Sequence, residues 1–295
     1  MKAIIQKKII LNEVHSASGI EYLMNKIYVI GDDSSFLYLY NIEGRLLGKT
    51  SLYAHSFKPG ERIPKIEKAD LESLTHANYK GKDYLLTLGS GSKEIQRDKG
   101  FLIELEDMTV KELSLKSLYD GLRTTEKVVG VGKLNIEGLC SKGNEIILFA
   151  RGNISGQNIT LTYKTEAFIS HLIEQKTIEK PVIANYKLPT LEGWASGFSG
   201  AVYDQKNDTI LFTATVEKTL NEIDDGETLG SFVGAIDLSD KEPKMKYSII
   251  MEDGLPYKEK VESIAVLNSE EKITALAVTD SDGGDSVLLW IEITL

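Results

Sequence analysis

Five short stretches decide the reading of this chain: Ser18-Gly19-Ile20, Glu72-Ser73-Leu74, Glu137-Gly138-Leu139, Ser199-Gly200-Ala201 and Glu262-Ser263-Ile264. Each has a Glu or Ser, then a Gly or Ser, then an apolar residue that opens a strand-like run. Their first residues lie 54, 65, 62 and 63 positions apart. A unit that returns at a nearly constant period signals a repeat architecture, because a single unit cannot bury its apolar face until the next one stacks on it.

Outward from each stretch the pattern continues. A polar turn follows (Asn25-Lys26, Lys80-Gly81-Lys82, Lys142-Gly143-Asn144, residues 205–208 and 268–271), and then a second apolar run. These second runs are Lys26–Ile30, Asp83–Leu88, Glu145–Ala150, Thr209–Ala214 and Lys272–Val278, and such spacing predicts β-hairpins. Third runs are expected at Phe36–Asn41, Gly100–Leu105, Gly230–Leu238 and Ser286–Ile293. In the third unit Ile159–Tyr163 and Ala167–Ile173 both qualify. Fourth runs close the units at Arg45–Leu52, Val110–Leu115, Val182–Leu188 and Lys244–Ile250.

Four strands in each of five units predict an all-β chain: one domain, residues 1–295, forming a five-bladed β-propeller of four-stranded antiparallel blades. The fifth unit ends at Leu295 after its third run, while Lys2–Leu11 is strand-like and belongs to no unit. The N-terminal strand is therefore expected to complete the last blade. Six blades would require another between Leu115 and Asn135, where apolar runs are too few. Helical periodicity is confined to Leu115–Leu122 and Thr165–Glu174.

Composition narrows the function. The formal charge of −10 and a pI near 5.1 argue against a nucleic-acid partner, which needs a basic stripe to displace counterions. They also disfavour an anionic membrane surface. The single cysteine, Cys140, excludes an intramolecular disulfide and reads as an inert core thiol. The N-terminal stretch has no uninterrupted apolar core or small-residue cleavage site, so a cytoplasmic location is expected.

In an antiparallel blade the first strand lines the axis, and its start shares one end with the loop between the second and third strands. Glu72, Glu137 and Glu262 are thus expected near the throat of a funnel, with Ser18 and Ser199 in the two remaining equivalent positions. Asp32, Asp33, Arg151 and Asp280 fall in the loops that would form its rim. Three carboxylates aimed at one axis repel each other unless a cation, a raised pKa or a basic side chain neutralises them. Clustered oxygen ligands suit calcium or magnesium; Arg151, Lys93, Arg97 and Arg123 offer ion pairs instead. His15 and His55 lie near enough in sequence to reach the rim. The acidic loop Asp280–Asp285 lacks the last ligand of an EF-hand and reads as a hairpin loop. Gly197-Phe198-Ser199-Gly200 opens a strand rather than a strand-to-helix turn, so it is not a nucleophile elbow.

The stretches Asp70-Leu71-Glu72-Ser73-Leu74, Asn135-Ile136-Glu137-Gly138-Leu139 and Val261-Glu262-Ser263-Ile264 resemble blade starts of the phytase-like and esterase-like propeller proteins. That resemblance implies calcium held by Glu72, Glu137 and Glu262 for binding phosphate. Serine at two of the five positions and the sparse basic residues depart from a phytate-binding face. The expectation is accordingly a cation-dependent hydrolase of a small phosphoester or carboxyl ester. The alternative is a non-catalytic propeller that binds a small molecule or a protein partner in its funnel.

Overall fold

The computed structural model describes residues 1–54, 61–152, 157–218, 226–238, 244–280 and 284–295. The chain opens with β1 (Lys2–Leu11) and then builds three four-stranded antiparallel sheets. The first contains β2 (Ala17–Leu23), β3 (Lys26–Gly31), β4 (Phe36–Tyr40) and β5 (Leu46–Ser51) in sequence order. The second contains β6 (Leu71–Tyr79), β7 (Lys82–Gly89), β8 (Lys99–Glu104) and β9 (Val110–Ser114). Two helices follow, α1 (Lys116–Arg123) and α2 (Glu126–Val129). The third sheet is β10 (Ile136–Lys142), β11 (Glu145–Ala150), β12 (Asn158–Lys164) and β13 (Val182–Tyr186), with α3 (Thr165–Glu174) between its last two strands.

The rest of the chain forms a ten-stranded sheet. One half holds β15 (Trp194–Asp204), β16 (Thr209–Lys218), β17 (Glu227–Asp237) and β18 (Lys244–Glu252), with the two-residue β14 (Thr190–Leu191) and β19 (Leu255–Pro256) at its margins. The other half holds β20 (Lys260–Ser269), β21 (Ile273–Asp280) and β22 (Ser286–Thr294). Strand β1 joins them. It runs antiparallel along β22 from Lys2↔Thr294 to Leu11↔Ser286, and parallel to β18 only at Ala3↔Ile250 and Ile4↔Met251. The expected completion of the last unit by the N-terminal strand is therefore observed.

Local chemistry explains the hairpins. Met24-Asn25 and Lys80-Gly81 both have positive φ at the two turn positions, the conformation whose twist matches the flanking strands. The third unit's two candidates separate cleanly: the strand is β12, whereas Ala167–Ile173 lies inside α3. Phe168, Ile169 and Leu172 recur at helical spacing and are buried against the sheet.

Apolar side chains cement each sheet to the next. Separate buried clusters join the first sheet to the second, the second to the third, the third to the β15–β18 half, that half to the β20–β22 half, and the last back to the first. The innermost strands follow the same circuit: β2 packs on β6, β6 on β10, β10 on β15, β15 on β20, and β20 on β2. The arrangement is all-β and propeller-like, and its first strands surround a common axis. They approach closely. A Cβ on Gly200 would lie 2.6 Å from the backbone of both Glu262 and Ser263, so the middle of the repeated stretch must stay small where β15 meets β20.

A candidate site where five bulges meet

The repeated stretch is a β-bulge. Pairing between the first two strands slips by one residue between Ala17/Gly19, Leu71/Ser73, Ile136/Gly138, Phe198/Gly200 and Val261/Ser263. The residues left over are Ser18, Glu72, Glu137, Ser199 and Glu262. A bulge bends its strand and re-aims the extra side chain. Each unit thus places a bulge at the same position.

Two positions before each bulge stand Ser16, Asp70, Asn135, Gly197 and Lys260. Across the hairpin, one step beyond the partner of the pre-bulge residue, stand Asp32, Ser90, Arg151, Thr215 and Asp280. These positions form successive polar tiers at one end of the ring. Gly197 is the gap in them, and Arg151 fills it: a Cβ on Gly197 would lie 2.5 Å from Arg151 Cγ.

Five bases at this end are engaged. Lys68 Nζ bridges Asp32 and Asp70, 2.9 Å from the latter, and Arg97 Nη1 lies 2.5 Å from Asp70. Lys260 Nζ lies 2.9 Å from Glu262 and 3.8 Å from Glu217, whose other oxygen pairs with Arg151. Arg62 pairs with Asp33 and donates to Ser16 Oγ at 3.0 Å. The carboxylates are not all so served. Glu137 accepts a hydrogen bond from the neutral amide of Asn135 at 2.5 Å. Glu72 has no hydrogen bond or ion pair among the described residues. Asp32 Oδ1 and Glu262 Oε2 are buried without a hydrogen-bond partner, as are Arg97 Nε and Arg151 Nε on the donor side.

Electrostatics follows from this imbalance. Burial, then the charges of Asp70, Glu137, Asp32 and Glu262, hold the Glu72 pKa well above the usual carboxylate range. Burial also raises Glu137, against the pull of Arg151 and Lys260. It lifts Glu262 to about 7, although the Lys260 ammonium opposes the shift. Asp32 is raised to about 6, again by burial first, with Lys68 acting against it. Glu217 goes the other way: burial pushes it up, but Arg151 and Lys260 together outweigh that and lower it.

The expected site residues are therefore found in distinct settings. Glu72, Glu137 and Glu262 stand at equivalent bulges and feel one another electrostatically. Ser18 and Ser199 are buried, 2% and 1% exposed, and donate to the adjacent unit, to Leu71 O at 2.5 Å and Val261 O at 2.7 Å. Each thereby fixes the backbone immediately before a Glu bulge of the next unit. Asp32, Asp33 and Arg151 are in the ion pairs above, and Asp280 ends β21 beside Ser16. Arg123 pairs with Asp98 instead. His15 lies 3.5 Å from Asp285, while His55 and residues 281–283 of the acidic loop lie outside the described residues. Phe198 packs in the apolar core against Phe149 and Phe212.

Sequence reasoning did not single out Lys68, Asp70, Glu217 or Lys260 as site residues. Two of these were within reach, because strand side chains alternate with period two and Asp70 and Lys260 sit two before a Glu. Lys68 comes from the connection between the first two sheets, where no periodicity points to it. The ligand atoms of Asp32, Asp70 and Glu72 lie within 4.8 Å of one another, so these residues, rather than the three bulge glutamates alone, form the tightest cluster that could hold a metal among the described residues. No helix among them is long and apolar enough to cross a membrane.

No curated protein matches the sequence. Among solved structures the fold is similar to glutaminyl cyclase of Myxococcus xanthus, with TM-score 0.51, 10% identity, and 99% of this chain and 97% of that one covered. It is similar at TM-score 0.51 and 11% identity to the α-L-arabinofuranosidase PaAbf62A of Podospora anserina in complex with cellotriose, covering 98% and 96% of the two chains. The Dos1 propeller aligns at TM-score 0.38 and 10% identity, over 93% of this chain and 67% of that one. At such identities the likeness concerns the fold alone. The matching family model is not that of the phytase-like or esterase-like propellers: it covers residues 13–293, and the chain belongs to the family of unknown function DUF6929.

Proposed function

We propose that the chain is a five-bladed β-propeller whose polar end, where the bulges meet, binds a small molecule. The observation that carries this reading is Glu72: a half-buried carboxyl with no hydrogen bond or ion pair among the described residues, set among paired carboxylates. A group so placed in a folded protein is strongly disfavoured in its charged form. It awaits a proton or a ligand that neutralises it. Perturbed titratable groups gathered in one polar cluster are a functional-site signature.

The second reading is the cation-dependent hydrolase, favoured by the 4.8 Å grouping of Asp32, Asp70 and Glu72. Their oxygen-only donor set and the orphaned Asp32 Oδ1 fit calcium or magnesium in chemistry. When bound, such an ion polarises a phosphoester or carboxyl ester and lowers the pKa of water. Asp32, Asp70 and Glu72 would hold it. Arg97 would keep Asp70 oriented.

Thermal unfolding tests the two readings against each other. Wild type and Glu72→Gln are chelated with EDTA and then titrated with calcium or magnesium. Ligands of the native state raise its apparent stability by mass action. A saturable rise that the variant loses supports the hydrolase and justifies an ester screen. A flat response in both withdraws the metal and leaves the small-molecule site.

A further inference from the structure

We infer that β13 is a docking edge: an extended segment of a partner protein, carrying an Asp or Glu, adds to it as a fifth strand of the third sheet. The inference stands apart from the site at the axis. Every unit ends on its outer side in a strand whose far edge is open or only partly covered, and such an edge invites pairing unless charge protects it. The other outer strands carry that protection. Strand β1 has Lys2, Lys7 and Lys8, β5 has Lys49, β9 has Lys111 and Glu112, and β18 has Lys244, Lys246 and Glu252. Strand β13 reads Val182-Ile183-Ala184-Asn185-Tyr186, without a charge, and Val182 is 72% exposed. It pairs with β12 along its whole length and, among the described residues, with no strand on its other side.

The surface of this strand is also shaped. A cavity of about 370 Å³ is lined by Pro181, Ile183, Asn185, Gln157 and Lys127. Pro181, Ile183 and Asn185 are alternate residues, so they share one face of β13, and Ile183 packs toward the core between the second and third sheets. Lys127 joins them from α2. It is exposed and has no ion pair among the described residues, and neither have Lys180 and Lys187, which flank β13. Glu126 and Glu179 adjoin these lysines in sequence, but neither lines the cavity. In strand addition the backbone supplies affinity, and alternate side chains supply the choice of partner. Alternate side chains of an added strand fall on the face that holds the cavity, where a carboxylate meets Lys127 and an apolar neighbour meets Ile183. A second copy of this chain fits less well. Strand β13 paired antiparallel with itself offers no carboxylate to Lys127, and it brings Lys180 of one copy to the end that holds Lys187 of the other.

The test selects a phage-displayed library of random linear peptides on the immobilised full chain. Enriched peptides are synthesised with fluorescein and titrated by polarisation against wild type, Lys127→Glu and Val182→Asp. Both side chains are exposed, so the variants should keep the fold, which their melting temperatures check. The expected peptides combine β-branched residues at alternate positions with an Asp or Glu. Their affinity should fall roughly tenfold or more in Lys127→Glu, the loss of one charge-assisted hydrogen bond. It should also fall in Val182→Asp, which gives this edge the kind of charge its counterparts carry. On binding, hydrogen exchange should slow at the amides of β13 and stay unchanged at β5 and β9. A library without enrichment, peptides that bind both variants as they bind wild type, or protection away from β13 overturns the inference. So does a chain that dimerises through this edge and loses the dimer in Val182→Asp, because the occupant is then a second copy.

Discussion

Gly197 and the serines Ser18 and Ser199 show how single side chains set the charge pattern of the ring. Arg151 reaches Glu217 only because Gly197 leaves room for its aliphatic stem. Gly197→Ala must displace that stem, and overpacking of this kind costs about 1–3 kcal/mol. Urea unfolding should show the loss, and Arg151→Met placed in the Gly197→Ala background should add less than it does alone. Ser199→Ala removes a buried hydrogen bond to Val261 O. The expected cost is about 1 kcal/mol, read from the same unfolding curves. The phrase itself was legible because a bulge needs a small second residue between crowded strands. The roles inside it were not. Two serines and three glutamates share the first position, and only the structure shows that each serine staples the neighbouring backbone. Lys68 was invisible for another reason: its position is set by a long connection, and no local period governs that.

Strand β1 is the element on which closure depends. It shares a long antiparallel ladder with β22, touches β18 in parallel, and buries Ala3 and Leu11. Without it β22 becomes an open edge, and two apolar clusters lose a wall. A chain lacking residues 1–11 should lose cooperative unfolding and associate, measured by circular dichroism melts and size-exclusion chromatography; a monomer with wild-type cooperativity would count against this role. Most strands were readable in advance, since alternating runs bounded by polar turns have few other solutions. Leu115–Leu122 and Thr165–Glu174 were readable as helices by their different period. The ambiguity at Ala167–Ile173 arose because a short apolar run fits either structure until packing decides. Here Phe168 and Leu172, one helical turn apart, settle it against the sheet.

Taken whole, the molecule gathers more carboxylates than bases at one end of its axis and leaves Glu72 and Glu137 without an ion pair among the described residues. Such a concentration is a cost to the fold, which the free protein meets by holding protons. The sign follows directly. Burial and like charges raise the folded-state pKa values of Glu72 and Glu137 above the ordinary value of 4.5, so the native state binds more protons than the unfolded state as pH rises past that value. Stability must then fall with rising pH through that window, until the raised pKa values are passed. Denaturant unfolding of wild type and the double variant Glu72→Gln/Glu137→Gln, from pH 5 to pH 8, tests this most directly. The account predicts that wild type loses stability across the range, that the variant's curve is flatter, and that the variant is the more stable protein at pH 8. A double variant less stable than wild type at pH 8 would contradict it, because the two glutamates would then be holding the ring together as anions.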